Sequence, residues 1–281
     1  MAKSRKKHHW PQVEKSSGRE EPFSEAKLFH SLRSSGASED LAARVIARLT
    51  PQLKPGISTE KIYRLAYKLL HKEARYLAAR YSLRRAIMDL GPSGFPFEKI
   101  VAAILERQGY RTQLDQVLQG ACIPHEVDVI ATRNNHRLFV ECKYHNNHGK
   151  KCDVKVALYV RARALDLENN KKLEPFHEFW LATNTKFTRD AIDYGQCAGL
   201  KLLGWDYPEG RGLKELMQLT QVHPLTCLTT LRKADKNKLL RQNVVLCGDL
   251  RDRPELLESL NLTPSALRRI QEEIAHLSNT G

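Results

Sequence analysis

The sequence predicts a mixed α/β (α+β) protein: a helical bundle, a central α/β core and a helical C-terminal region. Three observations predict it. Apolar residues recur at helical spacing to about residue 90; between about 92 and 208, period-two stretches alternate with helical ones; from about 211 the helical period returns. Gly91-Pro92-Ser93-Gly94 interrupts the first pattern and marks a boundary. A length of 281 residues suits two or three domains.

The elements follow in chain order. Residues 1–12 are a basic tail. Ser24 caps a helix carrying Leu28, Phe29 and Leu32 that ends by Gly36, and Ser38 caps a second through Leu41, Val45, Ile46 and Leu49. Ile57-Ser58-Thr59-Glu60 opens a third helix, and a fourth runs through Leu77, Tyr81 and Ile87. A helix over 97–105 stops at Gly109. Strands follow at 111–119, 125–132 and 137–144, with Asn134-Asn135 as the hairpin turn between the last two. A helix over 153–167, a strand at 179–183, a helix at 188–198 and a strand at 201–205 complete the core. Beyond Arg211, Leu239, Leu240, Leu256, Leu257, Leu260, Leu267 and Ile270 are the expected helical core.

The chain carries 46 Lys and Arg against 32 Asp and Glu, a formal charge of +14, of which residues 1–90 hold +10. Such a balance suits a polyanion partner, because each neutralised phosphate releases condensed counterions; the same charge also serves as a plain solvated surface. The six cysteines are scattered with no Cys-x-x-Cys pair, which predicts reduced thiols in a cytoplasmic protein and argues against a zinc ribbon. No apolar run approaches the roughly 18–20 residues of a membrane span, so no membrane partner is expected.

The chemistry concentrates in His125-Glu126-Val-Asp128 and Glu141-Cys142-Lys143. In a strand, side chains alternate faces, so Glu141 and Lys143 share one face and Cys142 takes the other. The same period puts Glu126 beside Asp128. Paired as a hairpin, these strands bring three carboxylates and an ammonium together, and burying them costs several kcal/mol unless they are paired or hold a metal. A salt-bridged sheet edge is the alternative reading. His125, Cys142, His145, His148 and Cys152 match no standard zinc spacing. His145 to Lys151 is expected to form a polar loop beside a phosphate backbone.

Asp128 followed by Glu141-x-Lys143 resembles the PD-(D/E)xK nuclease signature, and more closely the Mrr-like restriction endonucleases over residues 92–208. The stretch from Phe97 to Tyr110 looks like their opening helix, and Trp180 to Leu203 like their closing strand, helix and strand. Val127 stands where the motif has Pro, and Glu126 where the branch has Gly. The resemblance implies a restriction-endonuclease-like core and metal-dependent DNA cleavage, with Asp128 and Glu141 holding Mg²⁺ or Mn²⁺. Glu126 is an added ligand or a substitute, Lys143 orients or deprotonates the attacking water, and Glu98 is an accessory acid. One active site per core implies a homo-oligomer for cutting both strands.

Val13-Glu-Lys15-Ser16-Ser-Gly18, Pro22-Phe23, Lys27-Leu28 and Ile57-Ser-Thr59-Glu-Lys-Ile62-Tyr63 are similar to the ATP-cone domain, over residues 13–90. That resemblance implies a short hairpin closed at Gly18, then four helices, and a regulatory site for ATP or dATP. Val13, Lys15, Ser16, Lys27, Thr59 and Tyr63 would contact the nucleotide. Ser16 and Tyr63 replace the common Arg and His. The chain has no Gly-x-x-x-x-Gly-Lys-Ser/Thr loop, so nucleotide binding of this kind would be regulatory. The alternative for this module is a basic bundle that binds nucleic acid or another subunit. Residues 211–281 loosely resemble helix-hairpin-helix elements, and serve equally as an oligomerisation unit. The whole reads as a metal-dependent DNA endonuclease regulated by adenine nucleotide. The alternatives are a nucleotide-responsive DNA-binding regulator with an inactive core, and an assembly protein.

Overall fold

The computed structural model describes residues 10–15, 18–147 and 149–278. Most of the basic tail, Ser16 and His148 therefore lie outside the described residues. Packing divides the chain into two compact units, Met1–Ser82 and Leu83–Gly281.

The first unit opens with a hairpin, β1 (Gln12–Glu14) and β2 (Glu20–Pro22), reversed at Gly18 with φ of 76°. Glycine meets no steric penalty there. Then come α1 (Glu25–Ser34), α2 (Glu39–Leu49), β3 (Ile57–Ser58), α3 (Thr59–Glu73) and α4 (Arg75–Tyr81). The Ser24, Ser38 and Ser58 hydroxyls each accept from the backbone N–H three residues on, satisfying otherwise orphaned donors at the starts of α1, α2 and α3. Ile57 and Ser58 do more than open a helix: β3 pairs parallel with β1. The core joins Val13 and Phe23 of the hairpin to Leu32, Val45, Leu49, Ile62, Leu70 and Leu77.

The helix expected through Leu77 and Ile87 is two helices. The backbone leaves the helical path at Ser82, whose hydroxyl donates to the Ala79 carbonyl, and α5 (Leu83–Met88) belongs to the second unit.

That unit continues with α6 (Phe95–Arg107), β4 (Arg111–Gln119), β5 (Pro124–Arg133), β6 (His136–Lys143), β7 (Lys151–Cys152), α7 (Val154–Asn169), β8 (Glu178–Thr183), β9 (Lys186–Phe187), α8 (Arg189–Cys197), β10 (Leu200–Leu203), α9 (Leu213–Leu219), α10 (Lys233–Arg241), α11 (Cys247–Asp252) and α12 (Pro264–Ser278). The main sheet runs β10, β8, β6, β5, β4. Strands β4, β5 and β6 are antiparallel, and β6, β8 and β10 are parallel, so a meander joins a crossover unit whose connections are α7 and α8. Asn134 and Asn135, at φ of 51° and 63°, make the tight turn between β5 and β6; two left-handed residues give the turn whose twist matches the strands.

Two cores flank the sheet. Phe97, Ile100, Val101, Ile104 and Leu105 of α6 pack on one face with Val129, Leu138 and Val140, and this core extends to Leu213, Met217, Val222 and Val245 of the C-terminal segment. Ala157, Val160, Ala164 and Leu167 of α7 pack on the other face with Phe139, Phe179 and Leu181. Each fully buried large apolar side chain contributes about 2 kcal/mol, so the burial of Phe97, Ile100, Val101, Ile104 and Leu105 dominates the fixing of α6. In the C-terminal segment Leu239, Leu257, Leu260 and Ile270 are buried, while Leu240, Leu256 and Leu267 are only partly so. No helix among the described residues is long and apolar enough to cross a membrane.

Helix α7 also clamps the β4–β5 turn. Asp166 accepts from the backbone N–H of Cys122 at 2.9 Å and of Ile123 at 3.3 Å, and from Nε2 of His125 at 2.8 Å. The His125 contact and the Cys122 thiol hold its carboxyl at about 2, below the ordinary 3.8. Because the folded value is depressed, the stability Asp166 supplies is present above about pH 4 and is lost as pH falls toward 2. The melting-temperature deficit of Asp166→Asn should thus be largest at neutral pH and close between pH 4 and 2. A deficit unchanged at pH 2.5 in circular-dichroism melts would refute the clamp.

Candidate active site

Register builds the site. Leu114 pairs with Val129 and Gln116 with Val127, so Asp115 stands opposite Asp128; Val129 pairs with Val140, so the next pair along is Asp128 with Glu141. Asp115, Asp128 and Glu141 therefore form one row across three adjacent strands. Neighbouring strands lie about 4.8 Å apart. At an effective dielectric of about 20, two carboxylates so placed repel by roughly 3 kcal/mol.

The backbone is distorted at this row. Asp115 adopts φ of 51°, a region in which Asp is tolerated better than most residues. Strict alternation also breaks: Val129 and Ala131 enter the core under α6, whereas Val127 joins Ile130 in the core under α7. The Glu126–Asp128 pairing expected from an unbroken period of two is thereby altered. Glu126 is exposed, and it is its carbonyl that Arg163 holds.

Arg163 projects from α7 and donates to both the Glu141 carboxylate and the Glu126 carbonyl. It is buried, as is most of Glu141. Its ring-face contacts with Phe139 and Tyr159, at 5.6 and 5.4 Å, box the guanidinium in. The Cys142 backbone N–H donates to Asp128 Oδ2 at 2.6 Å. The Cys142 side chain faces the α6 core, where burial pushes the thiol well above its ordinary range. A thiol so protonated is a poor nucleophile or metal ligand.

The electrostatics follow from burial and crowding. Burial first, then the Asp128 charge, raises Glu141 to about 7, against the opposing pull of Arg163 and Lys143. Burial also raises Asp128, opposed by the Cys142 N–H and by Arg163. Glu98, in the first turn of α6, is raised to about 8 by burial, by Asp128 and by Asp115. The Lys143 ammonium is exposed two residues beyond Glu141. The five expected residues, Glu98, Glu126, Asp128, Glu141 and Lys143, thus act on one electrostatic neighbourhood. Among the described residues, no three His, Cys, Asp or Glu side chains converge as a ready metal cage. The donor set nonetheless fits a hard divalent cation: carboxylate oxygens, crowded by like charge and poorly neutralised at neutral pH. Asp128, Glu141 and Glu126 would hold it.

Two residues carry no motif signal, Asp115 and Arg163. A trace of each is visible: Arg163 is a cation in phase with the apolar face made by Val160, Ala164 and Leu167, and Asp115 interrupts the apolar text between Leu114 and Leu118. His145, expected in a polar loop, is buried, with its backbone N–H donating to Asn184 Oδ1 and its carbonyl accepting from Asn184 Nδ2.

The first unit holds a second candidate site, a cleft of about 180 Å³ lined by Val13, Lys15, Lys27, Thr59 and Tyr63, together with Glu21 and Tyr81. Every expected nucleotide contact except the undescribed Ser16 borders it. Lys15 and Lys27 both pair with Glu21 Oε1, at 2.6 and 3.0 Å, and those contacts lower the Glu21 carboxyl. Tyr63 stacks on Tyr81 at 5.1 Å, presenting an aromatic wall.

The family matches set the first boundary eight residues beyond the packing division at Ser82. Residues 11–90 match the ATP cone domain, 91–209 the restriction endonuclease family, and 223–278 the AF1548-like C-terminal family. An uncharacterized protein of Archaeoglobus fulgidus (strain ATCC 49558) is 35% identical over 174 residues, which are 62% of this chain and 97% of that protein. The crystal structure of AF1548, a protein of unknown function, superposes with a TM-score of 0.54 at 33% identity, covering 66% of this chain and 98% of that one.

Removing one partner of a buried ion pair costs about 3 kcal/mol or more, because the other charge stays buried. Arg163→Leu should destabilise the chain on that scale in urea unfolding, and adding Glu141→Leu should recover part of the loss. Strictly additive effects would show that Arg163 is not the counter-ion of Glu141.

Proposed function

We propose that this chain, which belongs to the AF1548-like family and joins an ATP-cone domain to a restriction-endonuclease domain, is a divalent-cation-dependent DNA endonuclease regulated by adenine nucleotide. The observation that carries the reading is the carboxylate row with Lys143 at its end. Acids crowded and buried to this degree lower the fold's stability, and a hydrolytic site is the use that their chemistry suits.

A divalent cation, Mg²⁺ or Mn²⁺, would neutralise phosphate charge and lower the pKa of the attacking water. Asp128 and Glu141 would hold it, with Glu126 as an outer ligand. Arg163 fixes the Glu141 rotamer and keeps one of its oxygens engaged. Lys143, exposed at the strand end, orients the attacking water, takes up its proton or stabilises the charge that develops on phosphorus-bound oxygen. Glu98, whose carboxyl burial and crowding raise to about 8, would supply a proton to the departing oxygen. One site cuts one strand, so two copies of the chain would act on a duplex.

In the first unit, Lys15 and Lys27 would exchange Glu21 for the phosphates of ATP or dATP, with the base against the Tyr63–Tyr81 wall. Compact ammonium charges suit that task.

Plasmid nicking tests the catalytic reading. Asp128→Asn and Glu141→Gln should each reduce Mg²⁺-dependent nicking by about a hundredfold or more, the scale of losing a group that stabilises transition-state charge, while Cys142→Ala retains most activity. Full activity in either carboxylate variant would refute the site. Calorimetry tests the regulator: ATP or dATP should bind the full chain, and Lys15→Ala with Lys27→Ala should abolish the heat. Absence of heat from the wild-type chain at millimolar nucleotide would refute nucleotide binding.

A further inference from the structure

Within the second unit a cleft of about 700 Å³ lies between α10 and the segments around residues 88–96 and Asn146. Lys233, Asn237 and Arg241 border it at i, i+4 and i+8 of α10, and so stand on one helix face. Ser93 and Asn146 border it from the other side, and Asn146 is only three residues beyond Lys143. All five are exposed.

The acids nearby are already committed. Asp235 of α10 accepts from Arg232 at 2.7 and 3.1 Å. Asp89, on the cleft wall, lies 3.8 Å from Arg85. Lys233 and Arg241 form no salt bridge among the described residues. The cleft therefore offers two cations outside any salt bridge among the described residues, against the single lining carboxylate of Asp89, with amide and hydroxyl groups between and opposite them. A helical rise of 1.5 Å per residue sets the cations roughly 12 Å apart along the axis, on the order of three phosphates of one strand.

We propose that this cleft binds the sugar–phosphate backbone of DNA. Lys233 and Arg241 pair with phosphates, and Asn237, Asn146 and Ser93 donate to phosphate and sugar oxygens. The C-terminal segment is then a grip on the substrate, positioned by the loop that follows the Glu141–Lys143 strand. The identity of the polyanion as DNA rests on the nuclease reading. Such a grip fixes position on the duplex and carries no sequence preference. Phe95 is the one aromatic side chain among the residues that line the cleft, so an acidic protein partner, which is anchored by several central aromatics, suits it less well than a phosphate backbone.

Binding of the full chain to labelled duplexes of unrelated sequence, in chelator so that nothing is cut, tests this. Lys233→Ala with Arg241→Ala should weaken all duplexes alike and lower the slope of log Kd against log salt by about 2, roughly one for each phosphate left without its cation. Asn237→Asp, an exposed change that leaves the core untouched, should also weaken binding. The charge-matched Lys171→Ala with Lys172→Ala should keep the wild-type slope. Wild-type affinity and slope in both cleft variants would overturn the proposal, as would an equal loss in the charge-matched control. Polyglutamate bound as tightly as DNA and equally sensitive to the variants would replace DNA with an acidic polypeptide. The nuclease reading fails separately, through absence of metal-dependent nicking, and that result leaves the salt slopes to be read on their own.

Discussion

The electrostatic problem at the centre of the second unit is a row of carboxylates on three adjacent strands. Asp115, Asp128 and Glu141 are brought into line by strand register, and Glu98 approaches from α6; burial and crowding act against ionisation of Asp128, Glu141 and Glu98. The fold answers with a single buried guanidinium. Arg163 comes from the helix that crosses from β6 to β8, and it ties Glu141 to the carbonyl of Glu126 on the neighbouring strand. The same helix, three residues on, clamps the β4–β5 turn through Asp166. One helix therefore sets both the electrostatics and the geometry of the acidic strands. The apolar packing of Val160, Ala164 and Leu167 sets where that helix lies.

The first unit solves the mirror problem. Two lysines that would repel one another share one carboxylate, Glu21. In each unit the candidate site keeps an internal counter-charge, and a ligand of the right sign has to compete with it. For exposed lysines this competition is mild, because surface ion pairs contribute roughly 0–1 kcal/mol. At Arg163, which is buried, it is far more stringent, and the guanidinium remains in place as a permanent part of the site.

Much of this was legible in the sequence because the signals are local. Ser24, Ser38 and Ser58 sit at helix starts since their hydroxyls reach the N–H three residues ahead. Asn134-Asn135 reads as a turn because both residues tolerate left-handed φ. The motif carboxylates and Lys143 were recognisable because their spacing along two strands is itself the signal. Arg163 and Asp115 were not, since their roles depend on which helix covers the sheet and which strand borders β5, and neither fact is written within a few residues of them. The break of alternation at Asp128 was equally hidden, since no residue pattern within β5 announces that Val127 and Val129 enter different cores. The split at Ser82 was missed because no Gly or Pro stands between Leu77 and Ile87 to mark a helix end, and the break shows only where packing divides the two compact units.

Cation binding at the row tests the account most directly, since it reads the carboxylates without requiring turnover. Mn²⁺ titrated into the full chain should raise the melting temperature, and go on raising it with the logarithm of free Mn²⁺ once the site is filled, and Asp128→Asn should remove most of that rise while the fold persists without the ion. An identical Mn²⁺ response in the wild type and in Asp128→Asn, or none in the wild type at millimolar Mn²⁺, would contradict the account.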